Sequence, residues 1–458
     1  MKIKISDKMS FKKLFIFALP SIVMMLFMAS YQIVDAMFVA NFVGTDALSA
    51  LNITYPITSL FVAIGVMFGT GGSALVGKKL GEGEKDEAKR IFSLITTFAF
   101  VFSLILSIVL LIFVEPLLYL IGADADTFAY SKDYMIIILI FAPFGVLQML
   151  YQSFLVVISK PHIGLAFTIS SGLANIIFDY VFIVLCDFGI AGAALGTIIG
   201  YLITAIGGSI VFIINKKGLR FSKFKFKGKY ILKSMSNGAS EMVINLAASI
   251  ITLVFNLEMA RIAGSNGIAS ITAILYFQYL MQALFIGYSN GIAPVFSYNY
   301  GEREVEFIRE IRDKSLIFIC IGSIIVTITS LLLTVPLCDM FSKGEKEIYD
   351  LIYKGNIIFS INYLFAAFNI FLSSFFTAIN DGKTSAVIAF CRTFLFILIF
   401  SPILSRVIGA DGVFMTVPIA EFLTFIVCMF LLPISYKKDM KKINIKTEKN
   451  NCCNEFYS

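Results

Sequence analysis

The sequence predicts an all-α polytopic membrane protein, with twelve transmembrane helices in two six-helix lobes related by a pseudo-two-fold along the membrane normal. Three observations carry this expectation. The 458 residues are 58% hydrophobic and only 15% charged, whereas soluble domains are roughly 45–50% apolar and about 25% charged. The apolar residues fall into runs long enough to cross a hydrocarbon core about 30 Å thick. The second half of the chain repeats features of the first at a constant offset of 220 positions.

Twelve runs are read in order. The first, 12–41, has five lysines in Met1–Lys13 at its start and is too long for the apolar core of a cleavable signal, so it is expected to stay as a span. The run 48–77 stops at Lys78-Lys79, and 90–114 starts after Lys89-Arg90. The runs 132–158 and 161–186 are divided by Lys160-Pro161, and 190–214 opens on Gly189. After a basic stretch come 233–261 and 267–296, separated around Gly264, then 312–336, 348–378, 383–408 and 411–435. The expected organisation is an N-lobe at 1–214 carrying a cation site, a basic linker at 215–232, a C-lobe at 233–435 and a polar tail at 436–458.

The basic residues set the expected orientation. Of 37 Lys and Arg, 30 fall on the side that holds both termini and the even-numbered loops. Loops rich in Lys and Arg stay cytoplasmic. Both termini are therefore expected in the cytoplasm of a multi-pass plasma-membrane protein, and the net charge of +7 reads as topology rather than a nucleic-acid footprint.

The repeat needs no gaps over most of a half. Gly44-Thr-Asp-Ala-Leu-Ser-Ala-Leu matches Gly264-Ser-Asn-Gly-Ile-Ala-Ser-Ile, and Gly71 matches Gly291. Leu-Gly81-Glu82 matches Tyr-Gly301-Glu302, Pro116-Leu117 matches Pro336-Leu337, and Gly189 and Gly192 match Gly409 and Gly412. Six spans per half give both halves the same orientation, and two like lobes facing each other can rock about a central cleft.

Ionisable groups inside spans are costly and mark functional candidates. They are Asp35, Asp179, Glu241, Arg392 and Glu421, with Glu258 nearer a helix end. Asp35 and Asp179 each precede the exit of their span by about seven residues, which puts both ~10 Å inside the same face. Thr197 enters the sixth span to the same depth. Asn175 shares the helical face of Asp179, and Tyr31 and Gln32 that of Asp35. At the offset of 220, Asp35, Asn175, Asp179 and Thr197 become Phe255, Leu395, Ile399 and Val417, so the polar cluster belongs to the N-lobe alone. Two neighbouring buried carboxylates cannot both stay ionised without a cation. The pair is expected to take H⁺ or Na⁺, with affinity that changes between a wet and a closed cavity.

In the C-lobe, Glu241 and Arg392 lie at similar depths. They are expected either to pair with each other or to form a second ion or substrate site, and Glu421, without an evident partner, could meet a cationic substrate. Pro20 interrupts the hydrogen-bond ladder of the first span and allows a bend there on protonation of Asp35. Gly189, Gly192, Gly196 and Gly200 suit close helix packing.

Other chemistry is poorly supported. Gly72–Lys79 imitates a phosphate-binding loop but ends in Lys where Ser or Thr is needed, and no strand precedes it. The seven cysteines and the single His162 show no metal-ligand spacing. No nucleophile–base constellation is readable, so an enzyme is not expected, nor is a cofactor beyond the coupling ion.

Leu19-Pro20, Asn175-Ile-Ile-Phe-Asp179-Tyr-Val-Phe-Ile and Gly189-Ile-Ala-Gly-Ala-Ala-Leu-Gly-Thr197 together resemble the multidrug and toxic-compound extrusion (MATE) family of cation antiporters, over essentially the whole chain. The spacing of Pro20 to Asp35 is similar to the branch named for DNA-damage-inducible protein F. That resemblance implies a coupling-cation site at Asp35, Asn175, Asp179 and Thr197, with the Ala193 carbonyl and Tyr31 nearby. It implies export of cationic amphipathic compounds against H⁺ or Na⁺. The partners expected are such small molecules and membrane lipid, with no nucleic acid, and the chain is expected to act as a monomer. A lipid-linked oligosaccharide flippase of the same superfamily is the alternative; such proteins carry Arg-rich cavities, whereas this chain has one intramembrane Arg.

Overall fold

The computed structural model describes residues 10–455 except 44, 126, 216, 217 and 343. The side chains of 32, 33, 35–37, 39–41, 45, 46, 48 and 434–455 lie outside that description. Among the described residues every regular element is a helix. The N-lobe comprises α1 (Phe11–Phe42), α2 (Thr45–Gly81), α3 (Lys85–Ile112), the short α4 (Val114–Leu120), α5 (Phe128–Val157), α6 (Pro161–Asp179) and α7 (Gly189–Ile214). The C-lobe comprises α8 (Gly228–Glu302), α9 (Val305–Leu332), the short α10 (Thr334–Phe341), α11 (Lys346–Ser360), α12 (Tyr363–Ala378), α13 (Gly382–Phe390), α14 (Phe396–Ile408) and α15 (Ala410–Glu455).

Twelve passes follow from these elements. Among the described residues, ten helices are individually long and apolar enough to span. One of them, α8, is broken at Ala263 and at Gly264 (φ 57°), and both of its ends meet α2, so it is two antiparallel limbs. The pair α11 and α12, bent by 53°, supplies the remaining pass where the sequence suggested one unbroken run. The short α4 and α10 were not anticipated either. They are repeat partners that begin around Pro116 and Pro336, and a proline is tolerated in a first helical turn because no hydrogen bond is lost there.

Helix starts and turns have local causes. Ser10 accepts a hydrogen bond from the Lys13 amide at its Oγ (3.4 Å), capping α1. Pro161 opens α6, where a missing N–H costs nothing. Gly189 (φ 55°) and Gly409 (φ 65°), repeat partners, turn the chain into α7 and α15 through left-handed backbone that a side chain would strain.

The two lobes meet through reciprocal contacts. A Cβ on Gly81 would lie 1.9 Å from the Tyr298 carbonyl, and one on Gly301 would lie 2.1 Å from the Lys78 carbonyl. Gly238 would meet the Met67 carbonyl at 2.0 Å, and Gly287 would meet the Ile22 Cα at 2.5 Å. Each pair maps onto the other by the sequence offset, give or take a turn, which is the two-fold written in contacts. Only small residues let backbones approach this closely. All these approaches lie at the end of the bundle from which the inter-lobe segment 215–227 emerges, here called the linker end. There Leu14, Phe17, Ala18 and Ile22 of α1 share one apolar core with Phe285, Tyr288 and Ile292 of the other lobe. Pro20 sits within this clamped stretch of α1. Towards the far end, Tyr55 of α2 is 51% exposed and Tyr276 of α8 38% exposed.

Candidate cation site and the C-lobe ion pair

Asp179 ends α6 and is fully buried. A π-helical turn, Tyr180–Leu185, follows it directly. Such turns are rare and recur at functional sites, because they rotate a side chain out of the regular α-helical phase. Asn175, one turn earlier and also buried, donates from Nδ2 to Asp179 Oδ1 at 3.5 Å. The carboxylate rests on α7: a Cβ on Gly196 would stand 2.0 Å from Asp179 Oδ1. Glycine at 196 is thus a condition of the site, a role its place in the small-residue stripe hinted at without specifying. Ala193 is buried one turn before Gly196, and Thr197 follows it, partly exposed. Ser171 Oγ donates to the Gly200 carbonyl (2.9 Å) and lies 2.8 Å from Thr204 Oγ1, which fixes α6 against α7 below the carboxylate.

α1 runs parallel to α6. Met24 is the neighbour of Gly164, and Phe27 and Tyr31 cover Gly172, where a Cβ would meet the Tyr31 ring at 3.1 Å. Continuing that register one turn beyond Tyr31 brings Asp35 level with Asn175–Asp179. The Asp35 and Gln32 side chains lie outside the described residues, so the expected meeting of the two carboxylates is carried by backbone register alone. Around Asp179 the donors are oxygens: the carboxylate, the Asn175 amide oxygen, which has no hydrogen-bond partner among the described residues, and the Thr197 hydroxyl on the adjoining turn of α7. Hard oxygen ligands suit a proton or an alkali cation, and a carboxylate this deep is costly without one.

The C-lobe departs from expectation. Of the two readings open for Glu241 and Arg392, a mutual ion pair or a second ion or substrate site, the pair does not form. Instead Arg392 Nε donates to Glu421 Oε1 at 2.6 Å and its Nη2 to Gln282 Oε1 at 3.1 Å. Asn369 Nδ2 donates to the second Glu421 oxygen at 2.7 Å. Glu421, expected to lack a partner, is therefore held on both oxygens. Glu241 stays within electrostatic range of Arg392 and is partly exposed on the first limb of α8. Arg392 sits at the start of a second π turn, Cys391–Leu395, and its guanidinium reaches Glu421 of α15. Gln282 and Asn369 were missed by sequence reasoning; lone amides in apolar spans were the available signal.

The two π turns occupy different heights in their lobes, so the helices between them are out of phase. Asn175 and Asp179 point inward, whereas their partners Leu395 and Ile399 are 37% and 45% exposed. At those two positions the repeat is not a like-for-like control: apolar residues stand there because the face is outward. Phe255 and Val417, the partners of Asp35 and Thr197, are buried, so the comparison holds for them. The repeat partners of Gln282, Asn369 and Glu421 are Val62, Met149 and Tyr201, which line one small N-lobe cavity with Gly145. The place that an ion pair fills in one lobe is filled by a tyrosine ring in the other.

Comparison with known proteins agrees with this architecture. The multidrug export protein MepA of Staphylococcus haemolyticus is 25% identical over 430 residues, covering 92% of this chain and 93% of that protein. A crystal structure of a MATE in complex with MaL6 superposes with a TM-score of 0.88 at 19% identity, covering 95% of this chain and 98% of that one. A MATE transporter of Vibrio cholerae superposes with a TM-score of 0.85 at 20% identity, covering 94% and 97%. The family model MatE matches twice, at 20–181 and 240–403, once in each lobe with starts that differ by the repeat offset. Two matches spanning most of both lobes, on a twelve-pass duplicated scaffold, make this chain a member of the MatE family.

Proposed function

We propose that the protein is a secondary exporter of cationic amphipathic compounds, exchanging them for H⁺ or Na⁺ by alternating access. In this reading residues 1–214 and 233–435 rock as two lobes about the linker 215–232, with both termini in the cytoplasm of the plasma membrane. Its relatives named as multidrug export proteins support the substrate class. The observation that carries the coupling is Asp179, fully buried against Gly196 and joined by Asn175, with Asp35 in register on α1. A buried carboxylate binds its cation most tightly when water is excluded and releases it when the cavity is wet, so ion occupancy and lobe position are linked.

Pro20 supports a hinge role. It lies where α1 is clamped against Gly287 and Gly291 of the other lobe, so a bend there would move the Asp35 end relative to a fixed base. Glu241 supports the cationic preference. It shares one face of α8 with Asn245, Ser249 and Thr252, none of them fully buried. The flippase alternative is disfavoured because Arg392, the one arginine well inside a span among the described residues, has its charge met by Glu421.

The test is efflux of a fluorescent organic cation from proteoliposomes, with proton and sodium gradients imposed separately. Transport should follow at least one gradient, and Asp35→Asn and Asp179→Asn should each abolish that dependence. Transport indifferent to both gradients, or full coupling in both variants, would overturn the proposal.

A further inference from the structure

The segment between the lobes is pinned rather than slack. It has no regular secondary structure from Arg220 to Lys227 and reads Phe221-Ser-Lys223-Phe224-Lys225-Phe226-Lys227. Near its start the Phe221 ring packs on Phe92 at 5.1 Å, and the Ser222 amide donates to Ser93 Oγ at 2.9 Å. Near its end Lys227 Nζ lies 3.1 Å from Glu87 Oε1, to which the Tyr230 hydroxyl also donates at 2.8 Å. Both attachments are to α3, at Glu87 and at Phe92–Ser93. Charged residues in α3 stop at Arg90 and the apolar run begins at Ile91. The segment is thus held at the height where α3 passes from polar to apolar surroundings, which is the membrane interface.

What it presents there is specific. Lys223, Lys225 and Lys229 are exposed and, among the described residues, have no acidic partner. Between them stands Phe226, 72% exposed. A topology signal needs lysines in the loop; it does not need the loop stitched to α3 at the interface, nor an uncovered phenyl ring between its lysines. Aromatic rings and lysines at this height suit the two parts of one ligand, an apolar chain and an anionic headgroup.

We propose that Lys223–Lys229 binds anionic phospholipid, with the three ammonium groups around the headgroup phosphates and Phe226 among the upper acyl carbons. The lipid holds the linker in the membrane plane where it enters α8, next to its attachments to α3 of the N-lobe. The proposal is independent of whether an ion drives transport.

The chain has no tryptophan, so Phe226→Trp introduces a single reporter at the site. In full-length protein reconstituted at equal mole fractions, brominated phosphatidylglycerol should quench that fluorescence more than brominated phosphatidylcholine. The local enrichment should be on the order of tenfold and should shrink in high salt. Adding Lys223→Gln, Lys225→Gln and Lys229→Gln should remove the preference and leave equal quenching by the two lipids, a result that also reports an intact interface. Equal quenching in the lysine-containing protein would overturn the proposal. So would a preference that survives the triple substitution, or quenching by aqueous iodide with none by lipid, which marks a solvated loop. An emission change with inorganic phosphate and no lipid preference would assign a phosphate site instead and equally overturn it.

Discussion

Gly77 and Ser297 are repeat partners, and they touch: a Cβ on Gly77 would lie 2.2 Å from Ser297 Oγ and 3.2 Å from Ser297 Cβ. Contact between equivalent positions happens only beside the axis that relates the lobes, so the pair marks where the pseudo-two-fold crosses the linker end. The same end carries the reciprocal Gly81 and Gly301 approaches, and it is the closed end of the molecule.

A disulfide follows from that contact. Bridged cysteines have Cβ atoms ~3.8 Å apart, close to the spacing here. In a background cleared of native cysteines, Gly77→Cys with Ser297→Cys should cross-link on oxidation and stop transport, and reduction should restore it. Efflux that continues while gel mobility reports full cross-linking would show that the linker end need not open.

Gly196 is expected to be as sensitive as the carboxylate it faces. Gly196→Ala sets a methyl against Asp179 Oδ1, and overpacking costs about 1–3 kcal/mol. Ion-dependent efflux should fall to the level of Asp179→Asn, with normal membrane expression. Gly200→Ala is the control: its nearest neighbour is the Ser171 carbonyl at 3.3 Å, and coupling should survive.

The Arg392–Glu421 pair gives a stability prediction with a definite order. Removing one partner leaves a buried charge alone, at a cost of roughly 3–5 kcal/mol. Arg392→Met should therefore lower the unfolding temperature in detergent more than Arg392→Met with Glu421→Leu does. If the double variant is the less stable, Arg392 acts through contacts other than this carboxylate.

Tyr55 of α2 and Tyr276 of α8 are both partly exposed towards the far end of the two lobes, where a cationic substrate could meet them. A cation over an aromatic face gains about 0.5–2 kcal/mol. Tyr55→Ala should raise the apparent KM for a quaternary ammonium substrate about three- to tenfold, with little change for an uncharged amphipath. An equal rise for both would assign the ring an apolar role.

Much of the architecture was legible in the sequence because lipid enforces it. A span must be long and apolar, so the passes could be counted, and a gap-free offset related the lobes before any coordinates existed. Asp35, Asp179, Glu241, Arg392 and Glu421 announced themselves by the cost of charge in such segments. Partnership did not. Depth along a helix can be counted from its end, but direction around the helix depends on phase, and a π turn changes phase without leaving a reliable mark in composition.

The sequence by itself therefore determined the class of molecule, its duplication and the height of each polar group, since all three follow from hydrophobic length and a rise of 1.5 Å per residue. Only the tertiary structure decided that Arg392 turns to Glu421 rather than Glu241, that Leu395 and Ile399 face outward, and that Gly196 makes room for Asp179. Those outcomes rest on direction around each helix and on approaches a few ångströms wide, which close packing between helices selects and the linear pattern does not encode.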